Sequence, residues 1–209
     1  MTATTAAATR TRRRRRLLRG VLVVMGVVAL VVGAAVTLVL RPTLVMDSSD
    51  PVWHGSSSDG VGTGDVLPTI TGTDYAGQPV TVTPQGRPMA LVFVAHWCTY
   101  CKGELKELGE ARASGAWVPS APVVAVPTRH LPFVSWPPQD ELELEPAADQ
   151  VLVDTSSSLA RRLGVTGVPQ WFFTDADGVI RESVTGVLDP DEIDRYLSLA
   201  AQASGSGGG

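Results

Sequence analysis

The clearest pattern of hydrophobic and polar positions is a short apolar run followed by a helical repeat. The run Met89–Val94 is brief, uninterrupted and bounded by polar residues, which predicts a buried β-strand. After it, Cys101, Leu105 and Leu108 recur at four- and three-residue spacing among charged residues, which predicts an amphipathic helix. Cys98 therefore lies at the turn between strand and helix, at or just before the helix N-terminus.

Strand-like and helix-like segments alternate through the rest of the C-terminal two thirds. Strands are predicted at 80–83, 122–126, 151–153, 170–174 and 179–184. Helices are predicted after the capping residues at 154–156 and after Asp189, and Asp-Gly at 177–178 signals a hairpin. The Pro-rich segment 127–149 fits either one short helix around 139–145 or a strand. This alternation predicts an α/β sandwich.

A second apolar segment lies near the N-terminus. Residues 20–40 form a stretch of 21 residues without a charge, which is long enough to cross a hydrocarbon core as a helix. Seven arginines precede it and only Arg41 follows closely, so the positive-inside rule predicts a cytoplasmic N-terminus and an external domain. A cleavable signal peptide is the alternative, although its apolar core is usually only about 7–15 residues long.

These segments predict the organisation of the whole chain. We expect a basic cytoplasmic tail at 1–16, a transmembrane anchor at 17–41, a flexible linker at 42–65, a folded domain at 66–202 and a disordered tail at 203–209. The chain is thus predicted to be a single-pass protein of the cell membrane, held by its N-terminal helix, with an extracytoplasmic domain.

Charge is distributed very unevenly along the chain. Eight of the 17 basic residues lie at or before Arg41, and all 21 acidic residues lie beyond it. An acidic external domain argues against nucleic acid as a partner. The arginine-rich tail instead suits anionic lipid head groups on the inner membrane face.

The two cysteines are the candidate chemistry. At a helix N-terminus, unpaired N–H groups and the helix dipole lower the pKa of the Cys98 thiol and favour its nucleophilic thiolate. The two-residue spacing lets Cys101 close a small disulfide, which is typical of disulfide exchange. A structural disulfide and half of a zinc site are the alternatives, but zinc needs two more ligands. The three histidines, His54, His96 and His130, have no paired ligand spacing, so we expect no metal and no cofactor.

A second motif precedes the strand predicted at 170–174. Pro169 follows a glycine-containing approach, which makes the Val168–Pro169 bond a candidate cis peptide. Beside the cysteine turn, such a bond would leave the backbone of Val168 free to pair with an extended substrate. An ordinary trans proline that opens a strand is the alternative.

In combination, these motifs resemble the thioredoxin superfamily. The resemblance is carried by Trp97-Cys98-x-x-Cys101 after a hydrophobic strand, by Gly-Val-Pro at 167–169, and by the segment 172–178. It is strongest for the TlpA/ResA branch of membrane-anchored thiol–disulfide oxidoreductases, and His96-Trp97-Cys98 and 136–138 resemble actinobacterial members. It covers about residues 66–200. It implies a thioredoxin-like sandwich with a central mixed sheet, preceded by one N-terminal transmembrane helix.

The resemblance also implies roles for individual residues. Cys98 matches the exposed nucleophile, Cys101 the buried resolving thiol, and Pro169 the cis-proline. Glu104 matches an acid that this branch keeps three residues after the second cysteine, and the spacing alone puts it on the same helix face as Cys101. There it would accept the proton of Cys101. The positions matching the family's substrate-binding residues are Trp97, Thr99, Tyr100, Val168 and Pro169.

The sequence departs from the family pattern in three respects. Val92 stands where thioredoxin has a buried acid, and Lys106 stands where the family has a proline on the active-site helix. Thr99-Tyr100 separates the cysteines without a positive charge that would stabilise a thiolate. The direction of electron flow is therefore left open.

Three functions are compatible with the sequence. The first is an anchored oxidoreductase that reduces or exchanges protein disulfides, for which the resemblance implies a transmembrane redox partner and suggests apocytochrome c thiols as one substrate. The second is an oxidising folding catalyst of DsbA type with the same fold. The third is a Cu(I) delivery protein that binds the metal through Cys98, Cys101 and His130.

Overall fold

A computed structural model of the chain describes residue 25 and residues 50–54, 61–83, 86–129 and 142–205. The elements named here lie in the unit formed by Met46–Gly209. The strands are β1 (Val52–Trp53), β2 (Ile70–Thr73), β3 (Pro79–Val82), β4 (Met89–Val94), β5 (Val123–Pro127), β6 (Gln150–Val151), β7 (Gln170–Thr174) and β8 (Ile180–Thr185). The helices are α1 (Thr99–Ala113), α2 (Leu144–Ala147), α3 (Ser158–Arg162) and α4 (Pro190–Gly205).

A mixed five-stranded sheet in the order β6-β5-β4-β7-β8 forms the centre of this unit. Strands β4, β5 and β6 run parallel, whereas β7 runs antiparallel to both β4 and β8. Strands β1, β2 and β3 form a separate antiparallel sheet. The thioredoxin-like α/β sandwich with a mixed central sheet is thereby confirmed.

Strand β4 is apolar throughout because both of its faces are covered. Val92 and Val94 pack into a cluster that includes Leu105 of α1, whereas Leu91 and Phe93 pack into a second cluster on the opposite face. Successive side chains of a strand point to opposite faces, so a strand between two cores shows a continuous apolar run. This is the pattern from which a buried strand was predicted.

The register of the strands brings three segments to one edge of the sheet. Val94 at the end of β4 is paired with Pro127 at the end of the parallel strand β5. Phe93 is paired with Gln170, the first residue of the antiparallel strand β7. The turn after β4, the segment after β5 and Pro169 before β7 therefore lie side by side.

Most predicted strands are confirmed, including the hairpin of β7 and β8, but β6 is shorter than the predicted strand at 151–153. The amide of Leu152 still donates to the carbonyl of Ala125 in β5, whereas the amide of Val153 donates to Thr73 of β2. The chain leaves the central sheet at this point because its backbone bonds to the other sheet instead.

Helix α3 begins at Ser158, later than expected from the capping residues predicted at 154–156. Its N-cap by backbone position is Ser157, whose side chain makes no capping bond. The side chain of Asp154 accepts from the amides of Leu159 and Ala160 and from the hydroxyl of Thr128. Asp154 is fully buried, so this carboxylate both caps α3 and holds the segment that follows β5.

The residues before the predicted domain boundary include some that pack on the domain. Val52 and Trp53 pair with β2, and the amide of Val61 donates to the carbonyl of Arg162. Val61 is buried. The range predicted as a linker, 42–65, thus contains folded residues.

Two predictions fall wholly or partly outside the residues that the structure describes. Apart from Met25, the predicted membrane span at 20–40 belongs to the undescribed part, and among described residues no helix is both long and apolar enough to span a membrane. The short helix predicted around 139–145 overlaps the start of α2, whereas residues 130–141 are not described.

Candidate active site

The cysteine turn forms where β4 gives way to α1. Cys98 is the N-cap of α1, and its Sγ accepts a hydrogen bond of 3.1 Å from the amide of Cys101. The two cysteines form a disulfide with their Cα atoms 5.3 Å apart. Cys98 keeps 6% of its surface exposed and Cys101 none. Cys98 is thus the more exposed of the two sulfurs but is more enclosed than the predicted exposed nucleophile, and the roles of the two cysteines stay predictions.

The loop that contains Val168 and Pro169, called the proline loop below, lies against Cys98, the outer cysteine. The Val168–Pro169 bond is cis, as predicted. Cys98 Sγ lies 3.5 Å from the carbonyl oxygen of Val168, and the Pro169 carbonyl accepts from the amide of Gly186. The structure therefore brings together both motifs that the sequence singled out, 70 residues apart.

Apolar and aromatic side chains surround the outer cysteine on the exposed surface. Trp97 is 45% exposed and Tyr100 75% exposed, with Thr99 exposed between the cysteines. The indole Nε1 of Trp97 donates to the carbonyl of Arg129, which fixes the ring beside the turn. Val187, next to Gly186, is also 46% exposed.

Arg129 is a residue of the site that sequence reasoning missed. It has a positive φ of 51°, an uncommon backbone conformation for a side chain of this size. Its guanidinium donates to the carbonyl of Val165, and its backbone amide donates to the hydroxyl oxygen of Ser157. Arg129 thus links the Trp97 turn to the approach of the proline loop. No local signal in the Pro-rich segment distinguishes it.

Glu104 lies in the interior beneath the cysteine turn, on the first half of α1. It is 2% exposed, and its Oε1 accepts from Trp171 Nε1 at 3.0 Å and from the Leu188 amide at 2.7 Å. Among the described residues, Oε2 has no hydrogen-bond partner. Burial raises the pKa of Glu104 to about 7, the hydrogen bonds from Leu188 and Trp171 lower it, and repulsion by Glu107 raises it further. Near neutral pH this carboxylate is therefore poised to exchange a proton.

Elsewhere in the described part of the chain there are cavities, but no cluster of metal-ligating side chains. Two open cavities, of about 580 and 570 Å³, lie away from the cysteine turn. Within the described ranges, no group of three or more metal-ligating side chains comes together. His130, the third ligand of the copper alternative, is outside those ranges.

Comparisons with known proteins agree with this geometry. A family model described as a thioredoxin-like domain matches residues 75–201, more than half of the chain. The thiol:disulfide interchange protein DsbE of Escherichia coli K12 is 31% identical over 129 residues, which cover 58% of this chain and 66% of that relative. The chain thus spans just under two thirds of that relative's length.

Solved structures show the same fold. The structure of MTB dsbF, at 25% identity, matches with a TM-score of 0.51 over 63% of this chain and 94% of that one. The exposed lipoprotein thioredoxin Etrx1 of Streptococcus pneumoniae, at 21% identity, matches with a TM-score of 0.50 over 63% and 98%. The resemblance inferred from the motifs is confirmed: the chain belongs to the thioredoxin-like domain family and is homologous to thiol:disulfide interchange proteins of the DsbE type.

Proposed function

We propose that this protein is a thiol–disulfide oxidoreductase that exchanges electrons with protein disulfides through Cys98 and Cys101. The observation that carries the proposal is the disulfide at the start of α1, with Cys98 Sγ 3.5 Å from the Val168 carbonyl. The N-terminus of a helix favours the thiolate of a cysteine placed there, which here is the outer cysteine, Cys98. The name of the E. coli relative, a thiol:disulfide interchange protein, supports the same chemistry.

The exchange proceeds in two substitutions at sulfur. The Cys98 thiolate attacks one sulfur of a substrate disulfide, so that a Cys98–substrate disulfide forms and the other substrate sulfur leaves as a thiolate. Cys101 then loses its proton to Glu104 and attacks Cys98 Sγ. The Cys98–Cys101 bond forms, the remaining substrate sulfur leaves and takes up a proton, and two electrons have passed to the substrate.

The surface around Cys98 favours an extended polypeptide as substrate. Trp97 and Tyr100 are exposed beside the cysteine, and Val168 is only partly buried. A cysteine-containing segment laid against Val168 would add backbone hydrogen bonds in the manner of an extra strand, and the aromatic rings would cover its neighbouring side chains. A polypeptide disulfide can make such contacts over several residues, which is why we propose a protein substrate.

Reduction is the direction that we propose for this exchange. The thiolate of Cys98 is stabilised by the Cys101 amide, whereas Thr99 and Tyr100 contribute no positive charge. We expect the reduction potential of the full-length chain, purified in detergent and equilibrated with glutathione buffers, to lie nearer about −270 mV than about −120 mV. A value near the upper figure would instead support the oxidising folding catalyst.

A direct assay tests the function itself. The reduced chain should transfer electrons to a model protein disulfide, and a Cys98→Ser/Cys101→Ser double variant serves as the control without a dithiol. If the two proteins reduce the model substrate equally slowly, the proposed function is wrong whatever the measured potential.

We further propose that the domain works outside the cytoplasm, held by the apolar segment at 20–40 and reduced by a transmembrane partner. The support is the cluster of arginines before this segment. Protease added to intact spheroplasts should degrade the domain. A variant with serine at 12–16 provides the matched control, because it keeps the apolar segment but loses five of the charges that orient it. Protection of the original domain in intact spheroplasts would contradict this location.

A further inference from the structure

The carboxylate of Glu104 is held asymmetrically. Both of its hydrogen bonds, from Trp171 Nε1 and from the Leu188 amide, reach the same atom, Oε1. Oε2 is buried and, within the described part of the chain, accepts no hydrogen bond. Two donors on one oxygen fix the plane of the carboxylate and decide which of its oxygens is left for a third group.

We propose that Trp171 is a positioning residue for disulfide exchange: its indole N–H holds Oε1 of Glu104 so that Oε2 takes the proton of Cys101. The proposal rests on the function proposed above. It deepens that function by assigning a role to a residue that acts through Glu104.

Trp171 is itself rigidly held, which a positioning role requires. Its side chain is fully buried, and its neighbours in the sheet are Val92 of β4 and Val184 of β8. Its ring stacks on Phe173 with centroids 5.9 Å apart, and Phe173 stacks on Tyr196 of α4 at 5.0 Å. A donor fixed by strand pairing and ring stacking loses little freedom when it makes the bond.

The position of Trp171 also explains how the chain functions with valine at position 92. Val92 stands where the resemblance implies a buried acid, and in the sheet register it lies directly opposite Trp171. The central strands therefore present an apolar side chain and an N–H donor here, rather than a second carboxylate. The N–H donor contacts the carboxylate of Glu104, a residue of the helix α1 that packs on this face of the sheet.

A neutral donor favours the ionised form of the carboxylate that it contacts. Burial of Glu104 has the opposite effect, and so does Glu107, the charged group on its own helix that raises its pKa. The other acids near α1 are exposed or bond to groups other than Glu104, and Asp149 forms an ion pair with Arg112 in the last turn of the helix. Glu145 of α2 is exposed, and Asp189 and Glu192 bond to each other's amides at the start of α4. The indole N–H of Trp171 and the backbone amide of Leu188 thus keep Glu104 available as a base at neutral pH.

The step that Trp171 assists is the second substitution. The proton of the Cys101 thiol passes to Oε2 of Glu104, and the resulting thiolate attacks Cys98 Sγ. The Cys98–Cys101 bond forms while the bond from Cys98 to the substrate sulfur breaks, and that sulfur leaves as a thiolate. Glu104 afterwards returns its proton to water or to the leaving sulfur.

The test follows the two substitutions separately. The reduced full-length chain, in detergent, is mixed with an aromatic disulfide whose released thiolate is coloured. The first release reports attack by Cys98, and the second reports attack by Cys101. Trp171→Phe removes the N–H and keeps an aromatic ring. We expect the first release to be unchanged and the second to slow by about three- to tenfold at pH 6.5, because loss of one donor leaves less of Glu104 ionised, at the net cost of a typical hydrogen bond.

The pH profile separates positioning from mere structural damage. The rate of the second release rises with pH, and the midpoint of that rise should move to higher pH in Trp171→Phe. The reason is that the carboxylate of Glu104 has lost a donor that favours its ionised form. Trp117→Phe is the matched control, since it removes a partly buried indole bond to the carboxylate of Asp194 and leaves the bond to Glu104 intact. In a Trp171→Phe/Glu104→Gln double variant, the second release should be no slower than in Glu104→Gln alone.

Each result bears on the proposal. An unmoved midpoint in Trp171→Phe, or equal effects in Trp117→Phe, overturns it. If Trp171→Phe does not fold, benzothienylalanine placed at position 171 keeps the bicyclic shape without the N–H and must give the same shift. Failure of the original chain to release any coloured thiolate would instead overturn the proposed function.

Discussion

Cys101→Ser is expected to accumulate covalent adducts with substrate proteins that disappear on addition of dithiothreitol, whereas Cys98→Ser is expected to accumulate few. The expectation follows from the different positions of the two sulfurs. Cys98 is at the N-cap, with its Sγ facing the amide of Cys101 and part of its surface in contact with solvent. Cys101 is completely buried, so an incoming disulfide meets Cys98 first.

The size of the effect comes from the loss of an intramolecular reaction. Well-oriented groups within one molecule react as if at an effective concentration of about 10⁵ M or more. Serine at position 101 removes that reaction and leaves only slow attack by external thiols. Adducts should therefore be visible on non-reducing gels after alkylation of cells that express Cys101→Ser.

Cys98→Ser is the control for this experiment. Cys98→Ser keeps the buried thiol of Cys101 and the same net charge, so it controls for the mere presence of one unpaired cysteine. Equal trapping by both variants would show that Cys101 reaches substrates directly, and the assigned order of attack would be wrong.

Glu104→Gln is expected to slow the second substitution by about 10²–10⁴-fold, the usual contribution of a general base. In the original protein this step should accelerate as pH rises through about 7, because Glu104 accepts a proton only when it is ionised. The glutamine variant should lose that rise. Stopped-flow measurement of the second thiolate release between pH 5 and 9 gives both quantities.

Glu107→Gln provides the matched control on the same helix. It removes an exposed carboxylate and the repulsion that Glu107 exerts on Glu104. The second substitution should then be unchanged or slightly faster near pH 6.5. An identical pH profile in Glu104→Gln and in the original protein would mean that Cys101 gives its proton to another acceptor.

Glu104→Gln should raise the free energy of unfolding at pH 8 although it slows the second substitution. The folded state raises the pKa of Glu104 from 4.5 to about 7, so it binds the proton more tightly than the unfolded chain does. The free energy of unfolding of the original protein should therefore fall as pH rises from about 4.5 to 7 and stay level above. Glutamine carries no charge, so at pH 8 it should recover up to about 3 kcal/mol.

The parts of the molecule that the sequence pattern predicted are those set by local periodicity. Strand β4 and the start of α1 follow from a buried apolar run and from repeats at three and four residues. The cysteine turn was correctly located for that reason. Cis-Pro169 needed the family resemblance, because the proline and its neighbours alone favour a trans bond.

The parts that could not be predicted depend on contacts between distant residues. Glu104 meets Trp171 and Leu188 from 67 and 84 residues away, and neither partner has a sequence signal for that contact. Arg129 was missed for the same reason, since its link to Val165 exists only after β5 and the proline loop are brought to one edge. The sequence pattern thus located the sulfurs but not the groups that control their protons.

One of the two bonds that hold Glu104 comes from the backbone amide of Leu188. Every amino acid except proline supplies that amide, so the bond does not depend on the identity of the side chain at position 188, which is buried in the core for a separate reason. An alignment can therefore record Glu104 and its indole partner as a covarying pair, but it will not register the third member of the group. In proteins of this fold, the proton acceptor should be identified from the path of the chain between the last strand and the last helix as well as from its side chains.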